Sequence, residues 1–282
     1  MTEAEKQYID LYTEASEAIK EHSAEVMNAV RDRAFEDFRR QGFPTRKVER
    51  YKYTDIEKIF APNYGLNINR IEFPVDPYAA FRCDVPNLST LLYFVVNDAF
   101  YEKRLPNVQP EEGVVIGSLR KAAKEHPELI ARYYARIAKT EEDAITALNT
   151  MLAQDGLFIY VPKNVQMEKC VQIINILRAD VSMMVNRRVL IVMEEGAKAK
   201  FLFCDHTADD HDFLATQVIE AYVGDNASLD LYCMEETHYK NHRVSNVYIE
   251  QQRESRVNHN VITLHNLSLI HISEPTRHLR IS

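Results

Sequence analysis

Glycine is scarce in this chain, with seven in 282 residues. That leaves no glycine-rich cradle for phosphates. The one tempting run, Gly113 to Leu119, lacks the lysine a P-loop requires. No G-x-S-x-G occurs, so no nucleophile elbow is expected. The four cysteines, Cys83, Cys170, Cys204 and Cys233, form no C-x-x-C pair. Free thiols in a reducing compartment are the plain expectation. No apolar run approaches the roughly 18 residues of a membrane helix, and the start Met1-Thr2-Glu3-Ala4-Glu5 is acidic rather than secretory. The expected compartment is therefore the cytoplasm. Positive charge is also in deficit. A formal net charge of −8 disfavours a nucleic-acid partner. One basic, aromatic stretch runs from Gly42 to Ile56, with Arg46, Lys47, Arg50 and Lys52 beside Tyr51 and Tyr53. Acidic residues interrupt it, so it reads as a docked loop rather than a stacking groove for single strands.

What is present is enough apolar material, 46% of residues, for one large domain or two ordinary ones. Residues 3–41 contain neither Gly nor Pro. Tyr8, Tyr12, Ala15 and Ile19, then Val26, Val30, Phe35 and Phe38, fall at helical spacing. The pattern predicts a helical hairpin or a kinked helix, with Ser23 capping its second part, Gly42 ending it and Pro44 following. Residues 62–117 are punctuated by proline and predict short strands, best at Leu91–Val96 and Val114–Ile116. Helices come next. Ser118 can cap the first, Pro127 suits the first turn of the second, and Thr140 with Asp143 resembles a capping box for the third. Gly156 is expected to stop that helix. The predicted organisation is a helical, mixed α/β part over 1–155 and a β region over 156–266.

The β region carries the one pattern that returns. Offset by thirty positions, Val189, Ile191 and Met193 fall on Ile219, Ala221 and Val223, and Phe201 falls on Leu231. Gly196-Ala197 then falls on Asn226-Ala227. Weaker copies lie at Tyr160–Lys169 and Val247–Asn260. Each unit is an apolar strand, a short Gly/Asn/Asp turn and an alternating strand. Such units stack as a β-solenoid or an extended β-sandwich. After His265-Asn266 the repeat stops. Residues 267–282 match neither the strand alternation nor the turns. They look like translated sequencing-adapter read-through, so a non-native tail and a C-terminally truncated chain are expected.

Two clusters contain metal-ligand residue types. Cys204, His206 and His211, with Asp205 between, form one; Cys233, His238 and His242 form the other. Thiolate and imidazole together suit zinc or an iron–sulfur centre. Against this, each cluster falls where a strand gives way to an acidic loop, and loops collect His and Asp because they are wet. A cysteine is also a small core hydrophobe. The expectation is no assigned ligand, with Cys204, His206 and His211 as the residues a metal would need. Glu194-Glu195 and Glu235-Glu236 are adjacent pairs that a strand would turn to opposite faces, so neither reads as an acid/base couple. His259, in an alternating strand, is expected to face inward as a satisfied core histidine.

Four segments resemble the SufB/SufD family of iron–sulfur cluster assembly scaffolds. Gly42-Phe43-Pro44-Thr45-Arg46-Lys47, with Glu49 and Lys52-Tyr53-Thr54, is similar to a stretch typical of the SufD branch, with Tyr51 where tryptophan is usual. The junction from Ala147 to Pro162, the run Asn186–Val192 and the run Val257–Leu264 are similar to segments of the family's β core. The resemblance implies a mostly β chain: a right-handed parallel β-helix preceded by a helical α/β domain. It implies a scaffold without catalysis of its own, paired with SufB and with the ATPase SufC, which binds ATP, or self-paired as a homodimer. It also implies a cluster held only transiently in the complex. It transfers no functional residue, because the family's interface histidine and SufC-binding helices are expected beyond this chain. Two rivals remain on the residues alone. One is a β-solenoid or cupin-like metal-binding protein or enzyme using Cys204, His206 and His211. The other is a structural repeat protein with an unrelated partner.

Overall fold

The computed structural model describes residues 1–80, 90–237, 240–264 and 267–273. Helix α1 spans Glu3–Glu21 and begins with a reciprocal cap between Thr2 and Glu5. Its buried stripe is Tyr8, Tyr12 and Ile19. A single turn, α2 (Glu25–Asn28), links it to α3 (Arg31–Gln41), which stops where Gly42 adopts a φ of 64°. Only glycine takes that conformation without strain, as the sequence suggests. Ser23 departs from expectation. Ala24 occupies the cap position of α2, and the Ser23 hydroxyl instead accepts from Arg31 Nη2 at 3.0 Å. The basic, aromatic stretch is indeed a docked loop. Phe43 packs on Phe38 and Phe60, and Tyr51 is buried while Tyr53 stays exposed.

Helices α4 (Ile56–Phe60) and α5 (Pro77–Ala80) are short. Strands β1 (Thr90–Val96), β2 (Ala99–Phe100) and β3 (Val115–Ser118) follow. Next come α6 (Leu119–Glu125), α7 (Pro127–Tyr133) and α8 (Ala144–Leu152). Ser118 caps α6 and Pro127 opens α7, both as expected. The cap of α8 is Asp143 rather than Thr140, whose hydroxyl turns to Asp37 at 2.6 Å. Gly156 lies past the end of α8 and serves a different purpose. A Cβ there would collide with the Arg188 carbonyl, so the glycine permits close packing of two backbones.

From Leu157 the chain winds as a parallel β-solenoid of about four turns. Its strands are β4 (Leu157–Val161), β5 (Cys170–Leu177), β6 (Met183–Met193), β7 (Lys198–Thr207) and β8 (Phe213–Val223). They continue with β9 (Ser228–Glu236), β10 (Asn241–Gln251), β11 (Arg256–Leu264) and β12 (Leu267–Ser273). Alternate strands build two sheets, ordered β12-β10-β8-β6-β4-β3 and β11-β9-β7-β5-β1-β2. The register is the one the repeat predicts: Val189 pairs with Ile219, and Phe201 with Leu231. Two members come from upstream of residue 155. β1 pairs parallel with β5, and β3 pairs antiparallel with β4. Leu267–Ser273 also differs from the sequence pattern, which shows no strand there; it lies parallel to β10. Residues 274–282 lie outside the described residues.

The turns repeat as faithfully as the strands. Asn164, Gly196, Asn226 and Glu254 all have positive φ. In the first three of these turns a backbone N–H donates to the next rung: Asn164 to Glu195 O, Gly196 to Asp225 O and Asn226 to Arg253 O. Inside the solenoid, Ile159, Ile173, Ile191, Phe201, Ile219 and Leu231 form one apolar column. The outer face of the β6–β8–β10 sheet is covered by helices. Phe158, Leu190 and Tyr222 meet α6 and α7, while Met184, Leu214 and Val244 join the α1/α3/α8 core. β6 and β8 are therefore buried along their whole length on both faces, without the in-out alternation of a half-exposed strand. β7 and β9 alternate, because part of their outer face is wet.

Candidate functional site

Strand parity parts the cysteines of the two candidate clusters. Phe203 pairs with Cys233, and Cys204 with Met234. Successive strand residues point to opposite faces, so Cys233 faces the interior and Cys204 the exterior. Cys204 is buried among Phe94, Ile174 and Ile176, an apolar setting. His206 follows on the same outer face, half-buried beside Glu236; burial lowers its pKa, against an upward pull from Glu236 and Asp205. His211 sits in the loop before β8, where its backbone N–H donates to Asp209 Oδ1. In the second cluster, Cys233 is interior and His242 lies on β10, on the face opposite to Arg243. His238 and Cys83 lie outside the described residues. Among the described residues, no three His, Cys, Asp or Glu side chains are grouped to hold a metal ion. Cys170 and Cys233 carry free thiols.

The interior holds a charged group that the residue pattern alone does not single out. Beyond the apolar column, the same inward parity carries Arg187 on β6, Asp205 on β7, Glu235 on β9 and Arg243 on β10. All four are at least 95% buried. Arg187 donates through Nη1 to Asp205 and through Nε to the Asn97 carbonyl at 2.9 Å. Arg243 Nη1 donates to Asp205 Oδ2 at 2.8 Å and also to Glu235. Burial alone would push the Asp205 carboxyl up. The Arg243 and Arg187 guanidiniums outweigh it and hold the group below the usual carboxylate range. A signal for these residues exists in the repeat. The alignment that sets Phe203 on Cys233 sets Asp205 on Glu235 two positions later, acid over acid on the inward face. Glu236, by contrast, is exposed, so that adjacent pair does split between faces. Inward-facing His259 places Nε2 3.7 Å from the Cys233 sulfur. Burial pushes that thiol up to about 12, which makes it a poor nucleophile.

A second buried ion pair fastens the helical part to the solenoid. Arg188 points outward from β6 and donates to Glu220 Oε2 at 2.5 Å, with both side chains fully buried. The Glu220 carboxylate also accepts the backbone N–H groups of Ala135, Ile137 and Ala138. Arg188 Nη1 reaches Thr150 Oγ1 on α8 at 2.9 Å. Around the corner, Tyr51 donates to Asp143 at 2.7 Å and Asn246 to the same carboxylate at 2.7 Å. Arg31, fully buried, donates to the Thr150 and Met151 carbonyls at the end of α8. These groups are committed to one another or to backbone. The arrangement holds two structural units together and presents no free acid, base or nucleophile among the residues named.

Comparison with known sequences agrees with this architecture. Residues 2–173 match the model of the SufBD protein N-terminal region, and residues 175–274 match that of the SufBD core domain of the SUF iron–sulfur cluster assembly system. The iron–sulfur cluster assembly protein SufD of Bacillus subtilis is 29% identical over 65% of this chain and 41% of its own length. The SufBD family protein slr0074 of Synechocystis is 32% identical over 42% of this chain and 25% of its own. The chloroplastic SufBD family protein ABCI8 of Arabidopsis thaliana is 32% identical over 42% of this chain and 21% of its own. The matched region thus spans less than half of each relative. No helix among the described residues is long and apolar enough to cross a membrane. With family models matched across both its helical and its solenoid parts, the chain belongs to the SufBD family.

Proposed function

We propose that this chain is a SufD-type scaffold subunit of iron–sulfur cluster assembly. It pairs with a SufB-type subunit through the solenoid and works with a SufC-type ATPase in the cytoplasm. It carries no catalysis of its own. The cluster is cargo of the assembled complex, and ATP belongs to the ATPase. The observation that carries this reading is the match of both family models to a helical unit clamped onto a parallel solenoid. The physical fit is that of a rigid platform. Its buried charges are spent on holding elements together, and its interior thiol is raised away from reactivity. Affinity capture of the chain co-expressed with SufB-type and SufC-type subunits tests the reading. Recovery of a defined heteromer supports it; recovery of the chain alone, with both other subunits folded and present, overturns it.

A further inference from the structure

The charged layer inside the solenoid is larger than its ion pairs. Asn175 lies in register with Asp205, and Asp205 with Glu235, along one wall. On the facing wall Arg187 lies in register with Gln217, and Gln217 with Ser245. Five buried side chains of this layer carry polar atoms without a protein partner among the described residues. They are Asn175 Nδ2, Arg187 Nη2, Arg243 Nε, Ser245 Oγ and both Nε2 and Oε1 of Gln217. Every one of the five is at least 95% buried. A buried polar group left unpaired is costly, and native interiors leave few of them. Six such atoms in one layer, on both walls and over three successive rungs, mark a place that a ligand fills.

The chemistry of that ligand follows from the surroundings. Two guanidiniums and two carboxylates balance, so the layer favours neither an anion nor a cation. The unpaired atoms include donors and an acceptor, which calls for a small neutral molecule able to do both. Neighbouring strands stand about 4.8 Å apart, whereas a hydrogen bond spans about 3 Å. Rung neighbours of unlike length, such as Arg187, Gln217 and Ser245, therefore do not ladder directly. One water between rungs fits the gap. We infer that this layer binds a short file of ordered water molecules running along the solenoid axis beside the ion pairs. With two to four partners for each water, six open atoms correspond to roughly two or three molecules.

A crystal structure of the chain at a resolution that shows ordered water should place solvent within hydrogen-bond reach of Gln217 and Ser245. Side chains that pair directly, with no solvent between them, would overturn the inference. A second measurement does not depend on crystals. Gln217→Met keeps the side-chain volume and removes both open atoms. If water fills the layer, the variant breaks real hydrogen bonds and Tm falls by about 2–4 °C. If the layer is dry, the variant relieves an unpaired amide and Tm stays or rises, which overturns the inference. Ser245→Ala, which adds no bulk, should move Tm in the same direction as Gln217→Met.

Discussion

Cys204 and Cys233 stand one rung apart on neighbouring strands yet project from opposite faces of one sheet, because Cys204 pairs with Met234 and not with Cys233. A displacement of one residue inverts the face. The two thiols therefore cannot share a metal ion, and neither is open to solvent. Maleimide labelling followed by mass spectrometry should modify Cys170, which is half-buried, ahead of the other two. Cys204 and Cys233 should label only at the rate of global unfolding. Rapid native-state labelling of either would contradict the placement.

Glu220 accepts from Arg188 and from three backbone N–H groups of the segment after α7. Truncating one partner of a buried ion pair strands the other charge. Glu220→Ala should cost about 3–5 kcal/mol, read from urea denaturation. Adding Arg188→Met should recover part of that loss, since the stranded guanidinium goes with it. A Glu220→Ala loss under about 1 kcal/mol would show that the clamp is not formed.

The position of Gly156 leaves no room for a side chain beside the Arg188 carbonyl. Gly156→Ala should destabilise by about 1–3 kcal/mol through overpacking against backbone. Gly117, where a Cβ would meet nothing within 4 Å, is the matched control and should tolerate Ala far better. Equal Tm values for the two variants would refute the packing account.

Much of the solenoid is legible in the amino-acid order. Val189 over Ile219 and Phe201 over Leu231 follow from chemically similar residues at one spacing, since stacked rungs meet the same environment. β1 is not legible as a rung. Thr90 pairs with Cys170 across an intervening set of helices, so no fixed spacing betrays it. β12 escapes for a related reason, because His242 pairs with Leu267 at a shorter spacing than the thirty positions of the repeat. The ion network is half visible. Asp205 and Glu235 align, but Arg187 and Arg243 occupy different steps of the repeat and reach the acids through long side chains. Spacing along the chain also does not contain which face each strand residue takes, and that is what parts Cys204 from Cys233.

Three histidines give stability a pH slope. Burial lowers the pKa of His206, His242 and His259 in the folded chain. Unfolded histidine titrates near about 6.5, so below that value the unfolded chain takes up protons that the folded chain resists. Their contribution is present above the unfolded pKa and is lost as pH falls through the folded values. Asp205, held low by its arginines despite burial, adds a further loss at more acid pH. Asp155 acts oppositely. Burial raises its pKa, so its contribution is present below the unfolded value and is lost as pH rises through the folded one. Urea midpoints should therefore fall between about pH 7 and pH 5. Replacing the three histidines with Gln should flatten that fall, and an unchanged slope would sink the assignment.

The scaffold role is tested most directly by iron and acid-labile sulfide content, measured on the chain alone and on its complex with SufB-type and SufC-type subunits after reconstitution. The account predicts both elements on the complex and neither in stoichiometric amount on the chain by itself. Stoichiometric metal on the isolated chain, lost in Cys204→Ala or His206→Ala, would contradict it.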